Sequence, residues 1–198
     1  ALKEWFEKFE IQSWWDKKVQ DLSKGMQQKI QFVSTVMHEP ELLILDEPFS
    51  GFDPINTELI KGEIQELHKK GTTIIFSTHN MASVEEICTD IALINQSKKI
   101  LDGNIHAIKE ENKKGIFEIR FKGNWINFTN ALWTGFELLD QSEDNKTLIA
   151  TVKAIGNNTS KELLASIHSA VEIVGFEEVI PSMNDIFIDH VVNANNHG

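Results

Sequence analysis

The sequence predicts an α/β region built on a parallel sheet, followed by a smaller α+β unit in the order β-α-β-β-α-β. Two runs, the aliphatic Leu42–Leu45 and the mostly β-branched Thr72–Ser77, flank a stretch of helical periodicity. The first lies between Pro40 and Pro48, and together they read as strands buried on both faces of a parallel sheet with a helical crossover between them. From Gly115 the pattern changes to strict alternation in Ile116-Phe-Glu-Ile-Arg-Phe121, the mark of a half-buried strand. With 198 residues, 41% of them hydrophobic, the chain can bury one core or two.

Leu2, Trp5, Phe6 and Phe9 share one face of an opening helix, and Trp14 with Trp15 supply loop and core aromatics. Ser23 is a good N-cap for a second helix, in which Met26, Ile30, Val33 and Met37 recur at helical spacing until Pro40 ends it. A hydroxyl, a glycine and free N–H groups at a helix start make an anion site. The run Leu42–Leu45 then ends in two adjacent acids, Asp46 and Glu47. In open α/β sheets ligands bind outside the carboxyl ends of the strands, which puts both acids where a phosphate–metal group can sit. Asp53 before Pro54 is an ordinary helix start, and Leu59, Ile60, Ile64 and Leu67 face a core before Gly71 stops that helix. His79 stands just past the tip of the next strand, beside the acid pair if the two strands are parallel neighbours.

A short helix over Met81–Ile87 precedes a hairpin of Asp90–Asn95 with Lys99–Asp102, and a helix follows over Ile105–Glu111. The charged run Lys109–Lys114 is the expected linker, dividing the chain into 1–112 and 113–198. Beyond it, strands are expected at 116–121, 136–139, 147–152 and 173–180, with helices at 126–132, 160–171 and 184–192. That order suggests a ferredoxin-like unit, and no acid–histidine cluster or glycine-rich phosphate loop occurs within it.

Charge narrows the function. The net charge is minus eleven, with fourteen basic against nineteen acidic residues up to Lys114 and five against eleven after it. No basic field is present to release counterions from a polynucleotide, so a nucleic-acid partner is not expected. One cysteine, Cys88, excludes an internal disulfide framework. No stretch approaches the ~20 apolar residues of a membrane-spanning helix, so any membrane association must come through a partner.

Three segments, read jointly, carry chemistry. They are Leu22-Ser-Lys-Gly-Met-Gln-Gln-Lys29, Leu42-Leu-Ile-Leu-Asp-Glu47 and Ser77-Thr-His-Asn80. In order and spacing they resemble the signature motif, Walker B strand and switch histidine of ABC-type ATPases. Ser50-Gly-Phe-Asp53 resembles the D-loop that crosses the dimer interface in that family. The signature departs from the usual Leu-Ser-Gly-Gly-Gln, with Lys24 and Met26 at the first glycine and the glutamine. Lys24 can add charge toward phosphate or simply be solvated.

The resemblance implies a fold of the C-terminal part of a P-loop NTPase domain, followed by the ferredoxin-like accessory domain found in bacterial exporter-type ATPases. It implies ATP and Mg2+ as ligands, Asp46 on the metal, Glu47 as general base or water-positioner and His79 at the γ-phosphate. Ser23, Lys24, Gly25 and Asp53 would serve the site across a homo- or heterodimer. A separate transmembrane permease would hold the subunit on the cytoplasmic face of the membrane. No Gly-x-x-x-x-Gly-Lys-Ser/Thr occurs in the sequence, so the phosphate loop is expected outside these residues and the fragment alone should turn over little ATP. Two other readings stay open, a soluble ABC ATPase unconnected with transport and a non-catalytic interaction module.

Overall fold

The computed structural model describes residues 2–196, and it divides by packing into two compact units, up to Ile87 and from Cys88 onward. In the first unit helix α1 (Leu2–Lys8) leads through two short turns to α2 (Lys24–Val36). Strand β1 (Leu42–Asp46), helix α3 (Pro54–Lys69), strand β2 (Thr73–Ser77) and helix α4 (Met81–Ile87) follow. The two strands pair in parallel, Leu42 opposite Thr73 through Asp46 opposite Ser77, with α3 as the crossover between them. This register brings the two strand tips side by side.

One face of that ribbon builds the core. Leu43 packs with Phe9, Ile11, Phe32, Val33, Val36, Ile60, Ile64 and Leu67. The other face is bare: Leu42, Ile44 and Ile75 are 51%, 68% and 56% exposed. The expected burial on both faces therefore does not hold for these residues. An apolar run reports that a strand suits an interior, whereas burial depends on a second layer, and here helices cover one side alone. The apolar stripe of α2 is also rotated from the expected one. Phe32, Val33 and Val36 are buried while Met37 caps the helix end, because the helix turns its Phe32 edge toward Phe9. Trp14 packs against the core, but Trp15 is exposed and meets Phe6 only edge-on.

The second unit opens with the hairpin of β3 (Asp90–Asn95) and β4 (Lys98–Asn104). Its two-residue turn places both Gln96 and Ser97 at positive φ, the twist that suits a tight hairpin. Helix α5 (Ile105–Glu111) starts on Asn104, whose side-chain Oδ1 accepts from the N–H groups of His106 and Ala107. The run expected to be a linker is tied down, since Lys113 pairs with Glu110 and Glu178, and Lys114 with Asp189. The division by packing falls ahead of the hairpin because α5 and β4 lie against the last helix of the chain.

After α5 come β5 (Ile116–Lys122), α6 (Trp125–Ala131), β6 (Phe136–Asp144), β7 (Thr147–Ala154), α7 (Ser160–Ile167), β8 (Glu172–Glu178) and α8 (Met183–Asn196). The antiparallel sheet runs β6-β7-β5-β8. With β5 and β7 central and two crossover helices, this is the ferredoxin-like arrangement expected from the order of elements. Phe117, Ile119 and Phe121 of β5 alternate into a core closed by Phe128, Leu163 and Ile167. Thr159 and Glu162 form a capping box on α7, and Ser182 with Asp185 exchange the same reciprocal bonds at the start of α8. Burial pushes the Cys88 thiol up to about 11, which leaves it a packing residue rather than a thiolate nucleophile.

Candidate functional site

Asp46 and Glu47 leave the tip of β1 where Ser77, Thr78 and His79 leave β2, and every polar group at this junction has a local reason for its position. The Ser77 hydroxyl donates to Asp46 Oδ1 across the strand pair. Glu47 adopts φ +45°, a left-handed conformation that costs a non-glycine residue energy and gathers at functional turns. Its N–H still donates to Ser77 O at 2.9 Å, so the ladder extends one residue past the strand. The turn swings the side chain toward β2.

There the carboxylate is gripped by three donors. Glu47 Oε1 accepts from His79 Nδ1 at 2.6 Å and from the His79 N–H at 3.0 Å, while Oε2 accepts from Thr78 Oγ1 at 3.1 Å. A carboxylate only accepts, so His79 carries its proton on Nδ1 and turns Nε2 away. The His79 side-chain bond, chiefly, holds the Glu47 carboxyl below its ordinary range against the opposing effect of desolvation, and the Thr78 hydroxyl and His79 N–H add to it. At neutral pH Glu47 is a carboxylate able to accept a proton.

The helix starts that follow the two strand tips are also held. Asn80 caps α4 by accepting from Ser83 N–H at 3.1 Å. Lys61 on α3, only 11% exposed, bridges Glu58 and Glu86 and ties α4 to the crossover helix. Its ammonium is held charged chiefly by Glu86. Asp53 Oδ1 accepts from Asn56 N–H at 3.0 Å and starts α3. That backbone bond, chiefly, lowers the Asp53 carboxyl.

Sequence similarity bears on what this junction is. The chain is 36% identical over 193 residues to an uncharacterized ABC transporter ATP-binding protein of Alkalihalophilus pseudofirmus, covering 98% of this chain and 70% of that relative. The chain belongs to the ABC transporter ATP-binding proteins. It is 39% identical over 194 residues to the ABC transporter ATP-binding protein YhaQ of Bacillus subtilis, covering 96% of this chain and 63% of YhaQ. A fluoroquinolones export ATP-binding protein of Mycobacterium tuberculosis is 43% identical over 86 residues, 43% of this chain and 27% of that relative.

The family model "ATP-binding protein DrrA1-3-like, C-terminal domain" matches residues 103–191, and "AAA domain, putative AbiEii toxin, Type IV TA system" matches residues 18–85. A solved structure described as the ATP binding subunit of an ABC transporter superposes with TM-score 0.53 at 29% identity, over 56% of this chain and 46% of the other. The chain thus spans under two thirds of YhaQ and about half of the solved subunit.

Within this ABC chain the sequence-predicted residues fall into three places, one of them the start of α3, where Asp53 is the N-cap. Asp46, Glu47 and His79 are brought together at the strand tips. Ser23, Lys24 and Gly25 sit apart at the start of α2, where Ser23 Oγ accepts from Met26 N–H at 3.4 Å. A Cβ on Gly25 would meet nothing within 4 Å, so packing inside this chain does not require the glycine.

Two residues with no predicted role also hold the site. Thr78 grips Glu47, and its place inside the Ser77–Asn80 segment was the available signal. Gln28 on α2 donates through Nε2 to Ser50 O at 2.6 Å, while its Oε1 is buried without a partner among the described residues. Gly51, at φ +81°, lies so close that a Cβ there would stand 3.1 Å from Gln28 Nε2. No periodicity in the sequence announces that bond between the signature helix and the loop before α3.

The site fits a hydrated divalent cation rather than a caged one. Among the described residues no group of three or more His, Cys, Asp or Glu is arranged to hold a metal ion by itself. One exposed carboxylate, Asp46, stands at the tip with the Ser77 hydroxyl beside it. Mg2+ keeps most of its waters and takes one or two carboxylates plus substrate phosphates, which this donor set suits.

Proposed function

We propose that this chain is the larger part of an ATP-hydrolysing subunit that drives transport, most consistently export, through a separate membrane permease. The observation that carries the reading is the Glu47–His79 pair at adjacent parallel strand tips, with Asp46 one residue away. Glu47, ionised and oriented, takes a proton from the water that attacks the γ-phosphate of ATP. His79 points Nε2 toward that phosphate, and donates from it when the ring carries both protons. Asp46 would hold Mg2+ through waters, and the bound ion would neutralise charge developing on the phosphates. Ser23 and Gly25, with Lys24 beside them, offer helix N–H groups to a γ-phosphate held by a second ATPase subunit, and Asp53 reaches across the same homo- or heterodimer interface.

Residues 1–112 are assigned to the ATPase domain and 113–198 to the accessory domain. The hairpin and α5 then belong to the first by sequence and to the second by packing. The bare face of β1 and β2, together with the greater length of the relatives, supports a phosphate-binding portion outside these 198 residues. Among the described residues no helix is long and apolar enough to cross a membrane. A permease would then hold the subunit at the inner face of the membrane.

Phosphate release by the full-length subunit, followed as Mg2+ is titrated, tests the function. Release should require Mg2+ and vanish in EDTA, and Asp46→Asn should raise the Mg2+ needed for half-maximal rate by roughly tenfold or more. Binding of ATP without Mg2+-dependent release from the wild-type subunit would contradict the function.

A further inference from the structure

Glu47 has two oxygens and about four lone-pair positions, and the structure fills them unequally. Oε1 accepts twice, from the N–H and from the Nδ1–H of His79, at 3.0 and 2.6 Å. Both of its in-plane positions are taken. Among the described residues Oε2 accepts once, from Thr78 Oγ1 at 3.1 Å, and retains one position. The Thr78 hydroxyl is itself constrained, because its oxygen accepts from the Asn80 N–H at 3.1 Å. Its hydrogen is thereby directed at Glu47, and the β-branch keeps the side chain in few rotamers.

We propose that Thr78 is a positioning residue for ATP hydrolysis, fixing the Glu47 carboxylate so that the free position of Oε2 takes the proton from the attacking water. The inference rests on the reading of Glu47 as base, and it adds which oxygen acts and what aims it. Without the hydroxyl the carboxylate is anchored at one oxygen only and pivots about its last torsion, which is broad and two-fold. Asn80 would still cap α4 through its own side chain, so the fold does not depend on this bond.

The test uses the full-length protein with Thr78→Val, which keeps the shape and removes the hydroxyl, and Thr78→Ser, which restores it. Thr78→Val should lower kcat for ATP about tenfold to a hundredfold, the weight of one hydrogen bond to a charged group. KM should stay within about twofold, and Thr78→Ser should recover most of the rate. In a Glu47→Gln background Thr78→Val should cost nothing more, since residues that act as a unit are not additive.

If Glu47→Gln abolishes turnover but Thr78→Val leaves kcat unchanged, Thr78 has no such role while the base assignment stands. If Glu47→Gln itself leaves the rate intact, the reading beneath the inference fails. An equal loss from Thr78→Val in both backgrounds would make its role structural and overturn the proposal. Thr78→Ala offers the same comparison if the valine variant does not fold.

Discussion

Glu47→Gln in the full-length subunit is expected to lower ATP turnover by about a hundredfold to ten-thousandfold, the range that a positioned general base supplies, while ATP binds as before. Glutamine matches the shape of glutamate, keeps one accepting oxygen, and cannot take a proton from water. With its oxygen in the place of Oε1 the amide still accepts from His79 Nδ1 and N–H, and its nitrogen meets the Thr78 hydroxyl as a donor, so the geometry is kept while the charge and the basic Oε2 are lost. Binding is read by equilibrium titration with a fluorescent ATP analogue and turnover by phosphate release. A turnover within twofold of wild type would remove Glu47 from the chemistry and favour a motif retained as structure.

Phe128→Ala is expected to have the largest effect on stability, about 3–5 kcal/mol for a fully buried aromatic. Phe128 is 0% exposed and stacks on Phe121 with centroids 4.3 Å apart and planes within 9°. Trp125 meets the same ring edge-on. Removing it opens a cavity under α6, against the C-terminal end of β5, in a domain whose whole stability is on the order of 5–15 kcal/mol. Amide exchange in β5 and β7 reads this unit alone, and should quicken roughly a hundredfold to a few thousandfold. Ile126→Ala, two residues away and 70% exposed, should change it little. Equal effects of the two substitutions would mean that α6 does not pack as described.

Features set by residues close together in sequence were legible before the fold was seen. The strand tips were legible because an apolar run that stops at Asp46-Glu47 and a β-branched run that stops before His79 are local patterns, and parallel pairing puts such ends together. The ferredoxin-like order was legible for the same reason, with the alternation of Ile116–Phe121 and the possible cap Ser182 as its local marks. The termini of the elements were not, and β6 runs on to Asp144 because its tight turn at Asn145 and Lys146, both at positive φ, lets the hairpin continue.

Properties that depend on neighbours distant in sequence stayed hidden. The open face of Leu42, Ile44 and Ile75 reflects which layers surround the ribbon. The left-handed turn at Glu47 makes a strand-end glutamate reach sideways to His79, and the Gln28 bond to Ser50 spans 22 residues. Lys109–Lys114 has the composition of a linker, yet its lysines find Glu178 and Asp189 only after folding.

We propose one half of an ATP-hydrolysing site in these residues, with its phosphate-binding half elsewhere in the protein. It is tested most directly by measuring ATP turnover, at saturating Mg2+ and ATP, for the 198-residue chain and the full-length subunit side by side. The full-length subunit should turn ATP over, and the 198 residues almost not at all. Comparable turnover by the shorter chain, or none by the folded longer one, would contradict it.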